Sequence, residues 1–153
     1  MIDRTIKHFS ELTPAQLYQI LALRSEVFVV EQACIYQDLD HKDQEAIHVL
    51  GTDETDQLIS YARILPPGVI YPEFAIGRVI VAATHRGTGE GHRLMDYCMT
   101  SIKTMAGETS VRISAQAHLE PFYEAHHFKS TGKAYLEDGI PHVEMIYYPK
   151  LAL

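Results

Sequence analysis

Val79-Ile-Val-Ala-Ala-Thr-His-Arg-Gly-Thr-Gly-Glu-Gly-His-Arg-Leu94 carries an apolar, β-branched run into a glycine-rich turn, and a helix-like pattern leaves it. This order decides the fold. Gly87, Gly89 and Gly91 remove three Cβ atoms, so main-chain N–H groups can approach an anion closely. The helix that follows adds unpaired N–H groups and the positive end of its dipole. Arg86 adds a fixed positive charge at the mouth. The loop from Arg86 through Gly87, Thr88, Gly89, Glu90 and Gly91 to His92 is thus a candidate phosphate cradle.

Two other glycine-rich loops are excluded by their chemistry. A nucleotide-hydrolase loop needs Gly-Lys-Ser/Thr, with its lysine on the terminal phosphates, whereas His92 and Arg93 follow Gly91. A dinucleotide loop needs Gly-x-Gly-x-x-Gly and an acidic residue about 20 residues on. Here the spacing is Gly-x-Gly-x-Gly, and Glu108 sits in a second glycine turn. A flexible turn without a ligand is the remaining alternative.

Outward from the loop, the pattern reads as one domain spanning residues 1–153. Thr13-Pro-Ala-Gln16 is a capping box with proline in the first turn, and Leu17, Ile20, Leu21, Val27 and Phe28 keep helical spacing to about Val30. Cys34–Gln44 is polar and acidic and reads as a loop or broken helix. Ala46–Leu50 and Gln57–Leu65 are strands around a polar turn, and Phe74–Ala82 feeds the glycine loop. Gly89 to about Ala106 is a helix, Ser110–Gln116 a strand and Glu120–His126 a short helix. Lys129–Leu136 and Val143–Tyr148 close the chain as a strand pair. The order α, β-β-β, α-β-α-β-β predicts an α/β fold, a mixed sheet with helices on both faces.

Composition narrows the function. With 153 residues, 46% hydrophobic and 22% charged, the chain is an ordinary globular one. A net charge of −7 argues against nucleic acid. No apolar run approaches the ~20 residues of a membrane span, and the amino terminus lacks a signal segment, so no membrane partner and a cytoplasmic location are expected. Cys34 and Cys98 fit no Cys-x-x-Cys pattern, and the nine histidines include no His-Glu-x-x-His. No metal is expected.

Arg86-x-x-Gly89-x-Gly91 between strand and helix resembles the pyrophosphate loop of the GNAT superfamily of acetyl-CoA-dependent N-acetyltransferases. Ala117-His-Leu-Glu-Pro-Phe-Tyr123-Glu-Ala-His-His-Phe128 resembles the family's second signature. Arg24-Ser-Glu-Val-Phe-Val-Val-Glu-Gln32, Gly77-Arg-Val-Ile-Val81 and Glu137-Asp-Gly-Ile-Pro-His142 together resemble its ElaA-like branch. The resemblance covers nearly the whole chain. It implies a mostly antiparallel sheet whose two central parallel strands splay apart to admit acetyl-CoA.

The same resemblance implies roles. Backbone groups of Val79, Ile80 and Val81 would run along the pantetheine arm and polarise the thioester carbonyl, and Gln116 would contact that arm or serve the fold. Tyr123 would be the acid that protonates the leaving thiolate, or else a core tyrosine. His127 departs from the family's usual glycine. Many relatives carry Glu as a base where Ala75 stands, and Glu26, Glu31, Asp38 and His142 are the replacements, unless water carries the proton. Arg24, Glu26, Glu31, Asp38 and His142 are candidates for the acceptor side. Arg24, Arg63 and Arg78 equally suit ion pairs with Asp38 or Glu31.

The function implied is acetyl transfer to a primary amine, of a small molecule or a peptide, directly within a ternary complex. The alternative is a GNAT-like domain that senses acyl-CoA without turnover. Sequence leaves the acceptor and the oligomeric state open, a homodimer included.

Overall fold

The computed structural model describes residues 1–150. Thr13 caps the first helix as its sequence demands. Its Oγ1 accepts from the Gln16 N–H (3.1 Å), and Gln16 Oε1 accepts from the Thr13 N–H (3.0 Å). Helix α1 runs Pro14–Arg24 and continues as wider π-helical turns over Ser25–Glu31. The expected helix to Val30 is therefore present in extent but changes its winding at Ser25.

Seven strands form one sheet, in the order β1-β2-β3-β4-β5-β7-β6. They are β1 Asp3–His8, β2 Ile47–Thr52, β3 Leu58–Leu65, β4 Phe74–Val81, β5 Val111–Gln116, β6 Lys129–Glu137 and β7 Ile140–Tyr147. All neighbours are antiparallel except β4 and β5. Strand β1 departs from the expected order, which began with a helix. Its sequence, Asp-Arg-Thr-Ile-Lys-His, has one apolar residue, because an edge strand covered on one side needs no more.

The helices α2 (Glu90–Ala106) and α3 (Glu120–Glu124) cover one face. Leu94, Met95, Cys98 and Ile102 of α2 pack with Ile64, Ile76, Ile113 and Met145 in the larger core. On the other face Ile20, Leu23 and Val27 pack on Leu50, Tyr61 and Ile80. Helices on both faces follow from these two apolar stripes.

Two irregularities shape the centre of the sheet. Tyr61 is opposite Ile80 but Arg63 is opposite Gly77, so β4 holds one extra residue there. Arg78 takes a left-handed φ of +51° at this bulge, which bends the strand. Parallel β4 and β5 then pair only at Phe74–Val111 and Ala75–Arg112. Beyond those two rungs they part.

The β6–β7 turn is Asp138-Gly139, both with positive φ (+50° and +77°), the two-residue turn whose twist suits a hairpin. It sets Glu137 opposite Ile140 and Tyr135 opposite His142. Strand β7 thus begins three residues before the expected Val143.

Candidate active site

The parting of β4 and β5 opens a cavity of about 1050 Å³, large enough for an extended ligand. Its walls combine the bulged part of β4 with Ser114 and Gln116 of β5, and its cover comes from the π-helical turns and residues 32–42. Val79, Ile80, Val81 and Gln116 line it. Gln116 donates to Gln32 Oε1 at 3.3 Å, which joins β5 to the covering segment.

At one side of the cavity lies the glycine turn. Gly87 and Gly89 have φ of +76° and +82°, a region open to glycine at little cost. The Arg93 N–H is donated to Gly89 O (3.2 Å) as the first bond of α2. The N–H groups of Glu90, Gly91 and His92 precede it and have no intrahelical acceptor. Gly91 is on the cavity wall, where a Cβ would come 3.4 Å from Phe122. Gly87, Thr88 and Gly89 are on the turn beyond that wall. Arg86 lines the mouth, its Nε–H donated to Val81 O (3.0 Å) and both terminal nitrogens to Glu31.

Two loop side chains point away from the turn. The Glu90 carboxylate is buried and accepts from Arg4 and from Ser60 Oγ (2.8 Å). The side chain therefore points away from the glycine turn, because the first turn of α2 aims it at β1 and β3. His92 lies against Phe122 (4.7 Å between rings) and bonds His126 across 2.9 Å. Its ring ties α2 to α3 and is absent from the wall.

Tyr123 projects from α3 and is at once core and wall. It is 8% exposed, packs edge-on to Phe122 and Phe128, and lines the cavity. Burial pushes its phenol well above the usual range, so the hydroxyl keeps its proton and is a donor throughout the neutral range.

The acidic segment after α1 is where the structure departs furthest from the sequence reading. Arg24 is fully buried and donates to Asp38 Oδ2 (2.8 Å) and Asp43 Oδ1 (2.7 Å). Arg63 binds Asp40 on two arms (2.8 and 2.6 Å) and shares Asp43 (2.9 Å). Arg78 donates to Asp38 O (2.9 Å), and its Nε lies 2.8 Å from Asp38 Oδ1 without the alignment of a hydrogen bond. Arg24 and Asp38 therefore hold the cover in place and do not face the cavity; the ion-pair alternative describes them. Glu26 is exposed and off the wall. Glu31 is on the wall, but beside Arg86 rather than deeper in the cavity.

His142 does line the cavity, together with Glu137, Tyr36 and Tyr71. Sequence reasoning gave the last three no role. The Asp-Gly turn was the available signal for Glu137, since it fixes the hairpin register. Ala75 is on the same wall and supplies no carboxylate. Among the described residues no cluster of His, Cys, Asp or Glu is placed to hold a metal ion. No helix there is long and apolar enough to cross a membrane.

A splayed parallel pair beside a glycine turn, with a tyrosine on the wall, defines a class that comparison with known proteins identifies. Residues 10–149 match the acetyltransferase (GNAT) domain family, and the chain belongs to that family. Within it the chain is ElaA-like. It is 42% identical to Protein ElaA of Escherichia coli over 147 residues, 95% of each chain. The crystal structure of that ElaA superposes with a TM-score of 0.89, covering 96% of this chain and 99% of the other. An acyl-CoA N-acyltransferase from Pseudomonas aeruginosa is 40% identical with a TM-score of 0.91, over 96% and 99%. An aminoglycoside 6'-N-acetyltransferase complexed with coenzyme A shares the fold at 17% identity, with a TM-score of 0.72 over 97% and 99%.

Proposed function

We propose that this protein is an acetyl-CoA-dependent N-acetyltransferase that moves an acetyl group to a primary amine by direct transfer in a ternary complex. The observation that carries this reading is the gap between β4 and β5, which opens beside the glycine turn and has Tyr123 on its wall. The solved relatives named as an acyl-CoA N-acyltransferase and as an N-acetyltransferase with coenzyme A support it.

The residues divide the work. Free N–H groups of Glu90, Gly91 and His92, the flexible backbone at Gly87 to Gly89, and Arg86 hold the pyrophosphate. Main-chain groups of Val79 to Val81, unpaired with β5, lie along the pantetheine arm and polarise the thioester carbonyl. The amine nitrogen attacks the carbonyl carbon, the C–S bond breaks, and the thiolate sulfur takes a proton that Tyr123 relays. Residues 1–150 supply all these groups, so the chain acts as one catalytic domain. Its two buried free thiols suit a reducing, cytoplasmic setting.

A sensing domain is the second reading, favoured by Ala75, which leaves β4 without a carboxylate on the wall. A panel of primary amines mixed with acetyl-CoA, read as free thiol, separates the two. Thiol release that depends on an amine supports transfer. Thermal stabilisation by acetyl-CoA with no release for any amine supports sensing.

A further inference from the structure

An alkylamine is an ammonium ion at neutral pH, and it must lose a proton before its nitrogen can attack. The carboxylates and imidazoles on the cavity wall differ in their fitness for that task. Glu31 is bound on two arms by Arg86, and Asp40 on two arms by Arg63. Paired this way, each is a weak base. Asp138 and His118 are exposed and have no partner that fixes their side chains.

His142 differs from all of these. It is 7% exposed, its ring stacks on Tyr135 (17° between planes), and Nδ1 lies 2.7 Å from Ile140 O. A carbonyl oxygen only accepts, so Nδ1 carries the hydrogen and the lone pair of the neutral ring is on Nε2. Glu137 Oε2 lies 3.2 Å from that Nε2, off the line of a hydrogen bond and on a side chain 52% exposed to solvent, so the Nε2 lone pair is not taken up by the carboxylate. Register places His142 opposite Gln116 at the end of β5, the strand that borders the gap. A base, an orienting carbonyl and a solvent-exposed carboxylate thus meet at one imidazole on the cavity wall.

We propose that His142 is the proton acceptor for the amine and that Glu137 is its outlet, an assignment that rests on the transferase reading above. The ammonium gives one N–H proton to the lone pair of Nε2, leaving a neutral amine and an imidazolium. The imidazolium passes that proton through the Glu137 carboxylate to water and returns to its starting tautomer. The proton lost later, when the C–N bond forms, is the one that ends on the thiolate. The chemistry suits an acceptor that arrives charged, an alkylammonium rather than an aryl amine.

The test compares butylamine with hydroxylamine, which is largely neutral at pH 7, in the wild type and in His142→Ala, His142→Gln and Glu137→Gln. Both His142 variants should lose about 10²–10⁴-fold in kcat/KM toward butylamine, and at least tenfold less toward hydroxylamine. The acidic limb of the butylamine pH profile should vanish in them. In Glu137→Gln the loss toward butylamine should again exceed the loss toward hydroxylamine, because the proton has lost its outlet. The titratable groups around this part of the cavity are Tyr135, Glu137, Asp138, Cys34 and Tyr36, and Glu137→Gln removes the one in ion-pair range. Thermal stabilisation by acetyl-CoA should persist in all three. Equal losses toward both nucleophiles, or an acidic limb that survives in both His142 variants, would overturn the assignment and leave the transferase reading standing. Absence of thiol release by the wild type with either nucleophile and with every amine of the panel would overturn both. Should His142→Ala fail to fold, His142→Gln and the exposed-site Glu137→Gln still decide the matter.

Discussion

Arg86 and Glu31 meet across the cavity mouth in a two-armed ion pair, 2.8 Å on each arm, which ties the glycine turn to the π-helical end of the first helix. The guanidinium holds the Glu31 carboxyl below its ordinary range. A bound pyrophosphate would compete with that carboxylate for the same guanidinium. Glu31→Gln should therefore tighten acetyl-CoA binding by roughly two- to fivefold, the scale of an exposed pair, and leave the acceptor KM unchanged. Calorimetric titration and steady-state kinetics with each substrate varied would check this. A rise in the acceptor KM alone would return Glu31 to the acceptor side.

Gly89 sits at φ +82°, and a Cβ there would come 3.2 Å from Arg93 Nη1. A β-branched residue at such a φ costs about 1–3 kcal/mol, and its side chain would stand over the main-chain N–H groups proposed to hold pyrophosphate. Gly89→Val should lower the melting temperature and abolish the further rise that acetyl-CoA produces by binding the native state. An undiminished thermal shift would remove the pyrophosphate from this turn.

Tyr123→Phe removes one oxygen and keeps the packing on Phe122 and Phe128. Turnover should fall about 10²–10⁴-fold if the hydroxyl relays the proton to sulfur, while the KM for acetyl-CoA stays put. Single-turnover rates are the measurement, because they isolate the chemical step from product release. A rate equal to wild type would leave Tyr123 as a core residue only.

Asp43 is shared by Arg24 and Arg63, and both guanidiniums are buried. Burial alone would raise its carboxyl, but the hydrogen bonds from Arg24 and Arg63 outweigh that and hold it below the ordinary aspartate range. Asp43→Asn should destabilise by about 3–5 kcal/mol, since it leaves buried charge unmatched. The sign with pH follows from the lowered carboxyl. Its stabilisation is fully present above about pH 4, the unfolded aspartate range, and is lost as pH falls toward the folded value. Urea unfolding from pH 7 to pH 3 should show wild type losing this increment and the variant lacking it.

His48 is a second pH-dependent element. Its Nε2–H is donated to Asp43 O (2.8 Å), and its Nδ1 accepts from the Tyr61 hydroxyl (2.6 Å). Burial depresses its pKa, and both nitrogens are already committed in the neutral ring. The unfolded chain takes up this proton near pH 6.5 and the folded chain only lower. Stability from this site is thus present above about pH 6.5 and falls as pH drops below it. Melting temperatures of wild type and His48→Gln should converge between pH 7 and pH 5.

What the sequence made legible was whatever its chemistry expresses locally. The Thr13 capping box, the helix after Gly89 and the turn geometry at Gly87 and Gly89 all depend on neighbours within a few residues. The β4–β5 parting became legible only through family resemblance, because no periodicity encodes a missing rung. The Asp38-Asp40-Asp43 segment reads as solvated because its partners stand 14 to 40 residues away. A buried ion cluster has the same composition as an exposed loop. Strand β1 was hidden for the opposite reason: an edge strand with one covered side needs little apolar sequence to be stable. His142 carried a signal, since Asp138-Gly139 fixes the hairpin register that sets its ring beside Tyr135.

Joined by two rungs alone, β1–β4 and β5–β7 are two leaves of a book bound only at the foot of the spine. The leaves can change their opening angle with little loss of sheet bonding, while α2 and the shared core beneath keep them in register. Chain slipped between them would act as a bookmark with bonds to both pages. Amide exchange at the free margins of Val79–Val81 and Ser114–Gln116 should then slow together on ligand binding, though the two segments belong to separate leaves. Engineering another rung at the gap should close the book, trading ligand access for a stiffer fold.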